Sequence, residues 1–113
     1  MTQRVPNPQD LLGRRLELVA GLSALNAQAL KLTQFLAGLD MEMLRLELAL
    51  KQAPAEGELA RELRRDLRTT RESADAAAGR QGECAERIAK AEQEIEDLDL
   101  LLRQAMAREG RTS

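Results

Sequence analysis

The sequence predicts an all-α protein, a long antiparallel two-helix hairpin of the coiled-coil kind. Three observations carry this. Leucine, alanine, arginine, glutamate and lysine fill 69 of the 113 positions, the bias of long helices and coiled coils. Leucines recur at strict seven-residue intervals through the first half. Both strong helix breakers, proline and glycine, fall together at one place after the first helical signal, near the middle of the chain. A sheet is excluded by the same composition. Strands prefer β-branched and aromatic residues, yet the apolar β-branched set is Val5, Val19, Ile88 and Ile95, and Phe35 is the sole aromatic.

In chain order, residues 1–7 form a tail and helix cap. Asn7-Pro8-Gln9-Asp10 is a helix start: Asn caps, Pro suits the first helical position, and Asp at the third complements the dipole. The first helix is predicted over 8–52. Leu11, Leu18, Leu25, Leu32, Leu39 and Leu46, interleaved with Leu22, Ala29, Leu36, Met43 and Leu50, make a 3-4 apolar repeat broken only by Arg15. Ala53-Pro54-Ala55-Glu56-Gly57 is the turn, 53–57. The second helix is predicted over 58–109, ending at Gly110, with 110–113 as a tail. Its repeat runs through Leu63, Leu67, Thr70, Ala74, Ala77, Gln81, Cys84, Ile88, Ala91, Ile95, Leu98, Leu102 and Ala105. The helices would measure roughly 68 and 77 Å. The whole of 8–109 is one domain.

Folding back about residue 55 pairs positions whose numbers sum to about 110. Leu39, Leu36 and Leu32 then face Thr70, Ala74 and Ala77; Ala29 faces Gln81, Leu25 faces Cys84, and Leu22 faces Ile88. Large side chains meet small ones, as close packing of two helices requires. Gly79 and Gly82 open an alternative, three helices with a break at 79–82. The heptad phase crosses them without a skip, whereas a turn would reset it, so one continuous helix is the favoured reading.

A lone hairpin leaves part of the first helix unexplained. Beside its seam lies a second stripe, Leu12, Leu16, Val19, Leu30, Ala37, Met41, Leu44 and Leu48. Each large apolar side chain is worth about 1.5–3 kcal/mol when buried, so exposing seven forfeits roughly 10 kcal/mol. Either the helix is rolled inside a three-helix monomer, or this stripe is an interface. The second is favoured, giving a four-helix or larger bundle, by homodimerisation or with a helical partner. The second helix carries a different stripe: basic at Arg61, Arg64, Arg68 and Arg71, then Asp75 and the small residues Ala78, Gly82, Ala85 and Ala89, then acidic at Glu92, Glu96 and Asp99. An antiparallel second copy would set Arg64 against Asp99 and Arg71 against Glu92, an interchain electrostatic match under a two-fold axis. A plain solvated face is its simpler explanation.

Other chemistry finds little support. With no histidine in the chain, no nucleophile–base–acid set can be assembled, and no enzyme activity, cofactor or small-molecule substrate is expected. The acidic run Glu92–Asp99 lacks the histidines or glycine turn of helix-bundle or calcium sites, so no metal is expected. Cys84 reads as a small buried apolar residue. The heptad leucines of residues 11–50 are similar to a leucine zipper, but the basic region that should precede one is reduced to Arg4 ahead of Pro6 and Pro8. A net charge of −2 argues against nucleic acid. Secreted helical hairpins of the WXG type have similar length and architecture, but this chain has no tryptophan. Residues 1–10 do not read as a signal peptide, and no uncharged stretch is long enough to span a bilayer. A single cysteine fits a reducing compartment, cytoplasmic or, in a eukaryotic cell, nuclear. The expected function is a coiled-coil assembly or scaffold subunit. The alternatives are a small helical chaperone or export adaptor holding an amphipathic client segment, and a nucleic-acid-associated factor using Arg61–Arg71.

Overall fold

The structure, a computed structural model, describes residues 7–112; of residues 111 and 112 it describes the backbone. The predicted tail 1–7 therefore lies outside the described residues except for Asn7, as does Ser113. Two helices, α1 (Pro8–Gln52) and α2 (Glu58–Thr112), account for nearly all of the described chain, and they form an antiparallel helical hairpin. No described helix is long and apolar enough to cross a membrane.

The helix ends follow from local chemistry. At the start of α1, the Asn7 side-chain Oδ1 accepts from the Asp10 amide at 2.8 Å and the Asn7 carbonyl accepts from the Leu11 amide at 3.2 Å. The first bond satisfies one of the orphan donors of a helix start, and the second is the first regular bond of the helix. Ala53 still donates to the Ala49 carbonyl. Pro54 has no amide to continue the series and disfavours helical geometry at the residue before it, so α1 stops at Gln52. Gly57, with φ +146°, has the only positive φ among the described residues. That backbone geometry suits a residue without a Cβ, and the Gly57 carbonyl then accepts from the Arg61 amide to open α2. Arg64 Nη2 reaches back to the Ala55 carbonyl at 3.1 Å, tying the turn to the first turns of α2.

Two expectations about α2 resolve differently. The helix passes through Gly79 and Gly82 without a break, so the described residues form two helices and not three. It also passes Gly110 to Thr112, three residues beyond the predicted end at 109. A glycine stops a helix when the chain adopts a left-handed conformation there; Gly110 does not, whereas the Gly57 φ is positive. A Cβ at Gly79 or Gly82 would meet nothing within 4 Å. Because glycine in a helix interior costs roughly 1 kcal/mol relative to alanine, Gly79→Ala and Gly82→Ala are each expected to stabilise the fold by about that amount. Urea unfolding followed by circular dichroism checks this. A loss of stability in both variants would show that the helix needs those glycines.

By density of contacts the chain divides into two units, Gln28–Cys84 around the turn, and the residues up to Ala27 together with those from Ala85. In the turn unit, Leu32, Leu46, Ala60, Leu67, Ala74, Ala77 and Cys84 are buried, with Leu46 the largest fully buried side chain. Gln81 Nε2 donates to Thr33 Oγ1 at 3.1 Å, and Arg71 Nη2 pairs with Glu47 at 3.3 Å. In the other unit, Leu11 clusters with Leu98 and Leu102, flanked by Leu18 and Ala105. Arg15 Nε donates to Asp99 Oδ1 at 2.6 Å. All the seam positions expected from the heptads are buried or half-buried; Ala60, which extends the second repeat by three residues, is buried as well and lies outside that expectation.

The cross-helix pairs refine the register. Thr33–Gln81 and Arg15–Asp99 each sum to 114 and Glu47–Arg71 to 118, above the 110 set by folding back at residue 55, while Arg14–Glu94, at 3.7 Å, sums to 108. Helical side chains lean toward the N-terminus of their own helix. In an antiparallel pair both partners lean toward each other's later residues, which raises three of these four contact sums above the backbone register; Arg14 and Glu94, with long exposed side chains, meet below it. Gln81, opposite Ala29 by backbone register, thus reaches Thr33 one turn away.

Candidate interaction surfaces

The core seams take up one side of α1. In the turn unit, α1 leaves Leu30, Met41, Leu44 and Leu48 more than half exposed, Met41 at 74 %, with Ala37 exposed among them. They belong to a second 3-4 series, Leu30, Gln34, Ala37, Met41, Leu44 and Leu48, set roughly 150° around the helix from the core seam at 100° per residue. The same helix cannot bury both series against one partner. In the other unit α1 exposes Leu12, Leu16 at 72 %, and Val19. All eight stripe residues expected from the sequence are therefore exposed in the chain by itself. A rolled helix with both stripes half-buried does not occur.

Sequence reasoning missed further exposed apolar residues: Phe35 and Leu59 in the turn unit, and Leu100, Leu101 and Met106 in the other. A signal was present for two of them. Leu98-Asp99-Leu100-Leu101-Leu102 carries four leucines in five positions, and a helix seam with 3-4 spacing accepts only Leu98 and Leu102.

The charged residues of α2 are distributed differently from a simple interchain stripe. Arg61, Arg64, Arg68 and Arg71 are exposed in the turn unit, and Glu92 and Glu96 in the other. Asp99 is half-buried and taken up inside the chain by Arg15, the one residue that interrupts the α1 seam. Arg15 is half-buried and its guanidinium reaches this carboxylate; hydrogen bonding and charge attraction from Asp99 hold the guanidinium above its ordinary pKa. Arg71 likewise has an intrachain partner in Glu47. On α1, Arg45 Nε donates to Glu42 Oε2 at 3.0 Å, and hydrogen bonding from Arg45 is the main cause holding Glu42 below the usual carboxylate range.

A surface groove in the turn unit is lined by Leu50, Arg64, Leu67, Arg68, Arg71, Glu72 and Asp75. Its charged groups are guanidinium and carboxylate, with no hydroxyl, thiol or imidazole among the lining residues. Among the described residues no three metal-ligating side chains come together. Among the charged residues the surface also carries exposed aliphatic side chains at helical spacing on α1, chemistry suited to contact with another helix. No protein-family model, curated protein sequence or solved structure matches the chain.

Proposed function

We propose that this protein is a non-enzymatic assembly or scaffold subunit that acts by helix–helix contact with another chain, in a reducing, cytoplasmic compartment. One observation carries the reading. After α2 has packed along the core seam of α1, Leu12, Leu16, Val19, Leu30, Met41, Leu44 and Leu48 are still exposed. In each unit, large apolar side chains left exposed at helical spacing mark an interaction surface, and an amphipathic helix laid along the exposed series of the turn unit is the mode of recognition that series fits. The chain has one buried cysteine, in keeping with a compartment where thiols stay reduced.

Sedimentation equilibrium of the purified chain tests this. The wild type is expected to sediment above monomer mass at low micromolar concentration. Leu16→Glu combined with Leu30→Glu is expected to weaken that association at least about tenfold, since two charges would be placed where apolar contact forms. Helicity should persist, because both side chains are exposed in the single chain. A wild type that stays monomeric, or an oligomer indifferent to the double substitution, refutes the reading.

A further inference from the structure

The exposed series of the turn unit contains more than aliphatic residues, and its polar members discriminate among possible occupants. Gln34 lies within it, between Leu30 and Ala37, and is exposed. Lys31 and Arg45 run along one flank, and Asp40 and Glu47 along the other. We infer that this series, Leu30 to Leu48, is covered by the same series of a second copy, with the two α1 segments parallel and in register about a two-fold axis. The inference deepens the proposed function and rests on it.

Gln34 supplies the first argument. In a parallel, in-register pair each seam residue meets its own counterpart, so the Gln34 amide faces Gln34 of the partner subunit. Carboxamides donate and accept at once, and such a pair satisfies itself. In the antiparallel arrangement that overlaps the same six residues, Leu30 meets Leu48, and Gln34 meets Leu44. The amide would then be buried against an aliphatic side chain, which carries the cost of an unmade hydrogen bond. One polar layer in an otherwise apolar seam is a device by which coiled coils fix register and oligomer state. Gln34 makes no side-chain hydrogen bond among the described residues, so none of them competes for it.

The flanks supply the second. In parallel coiled coils each flank faces the opposite flank of the neighbour, about five residues further on. Asp40 then lies beside Arg45 of the partner subunit, and symmetry makes the contact twice. In the antiparallel arrangement each flank faces itself, setting Asp40 near Asp40 and Lys31 near Arg45, like charge against like. Asp40 has no ion pair among the described residues. Arg45 gives Nε and Nη2 to Glu42 and, with five N–H donors on a guanidinium, retains donors for Asp40.

Directed cross-linking tests orientation. In a Cys84→Ala background, which removes the only native thiol, Leu48→Cys is oxidised under mild conditions after its reduced form has been shown to sediment like the wild type. Position 48 meets position 48 in the parallel pair, so most chains are expected to become disulfide-linked dimers. In the antiparallel pair those positions are about 27 Å apart, far beyond disulfide reach, and only a mixture of Leu30→Cys and Leu48→Cys chains would cross-link. That mixed product without the 48–48 product overturns the inference while leaving the proposed function standing, as does self-association with neither product. A monomeric wild type overturns both. Independently of any thiol, Asp40→Arg is expected to weaken dimerisation severalfold and Asp40→Arg with Arg45→Asp to restore it; equal weakening in both refutes the flank pairing.

Discussion

Leu46→Ala is expected to destabilise the fold by about 3–5 kcal/mol, the range for deleting a leucine from a well-packed core. Leu44→Ala, two residues away, is expected to change it by less than about 0.5 kcal/mol at concentrations where the chain is monomeric. The chemistry removed is identical, but the surroundings differ. Leu46 is 2 % exposed and Leu44 is 57 % exposed, so only at position 46 does truncation remove buried contacts and leave a cavity. Against a typical domain stability of about 5–15 kcal/mol, the loss at 46 is a large share of the whole. Urea unfolding monitored by circular dichroism at low micromolar concentration measures both. Equal costs at the two positions would show that the core seam is misassigned. A Leu44→Ala cost that grows with protein concentration is what an interchain role for the exposed series requires, since association stabilises the folded state by mass action.

That contrast also marks where the amino-acid sequence is informative. The 3-4 repeat on α1 and its counterpart on α2 separate Leu46 from Leu44 by spacing alone, because helical geometry puts the two on different faces. The turn is equally readable, since Pro54 and Gly57 each impose a backbone constraint that few neighbours can override. Helix continuity through Gly79 and Gly82 is readable from phase rather than from propensity. The charged positions are not readable in the same way. Asp99 fits an acidic face of α2 by its spacing, yet long side chains choose partners by reach and lean, and Arg15 arrives from the other helix. The end of α2 escapes the sequence because a glycine permits a stop without requiring one. Sequence periodicity fixes which side of a helix a residue is on; which of several nearby charges it then meets depends on distances of a few ångströms that periodicity does not encode.

The large-on-small arrangement can be tested at Ala76-Ala77-Ala78, three consecutive alanines of which only Ala77 is buried, at 1 % exposure. Ala77→Leu is expected to cost about 1–3 kcal/mol, because a well-packed core accommodates extra methylenes only through strained rotamers or backbone shifts. Ala76→Leu and Ala78→Leu are expected to stay within about 0.5 kcal/mol of the parent, since leucine is nearly as good a helix former as alanine and both sites are exposed. Neighbouring positions share backbone conformation and helix propensity, so a penalty confined to 77 isolates the space between the helices. If Ala77→Leu were neutral, the helices would have room to separate there, and the alanines of α2 would reflect helix propensity rather than close approach. If all three substitutions were costly, α2 would be covered on more than one side, by contacts a single chain does not supply. A penalty at 77 alone places the tight packing of this hairpin on α2's small residues and leaves the exposed leucines of α1 available to another chain.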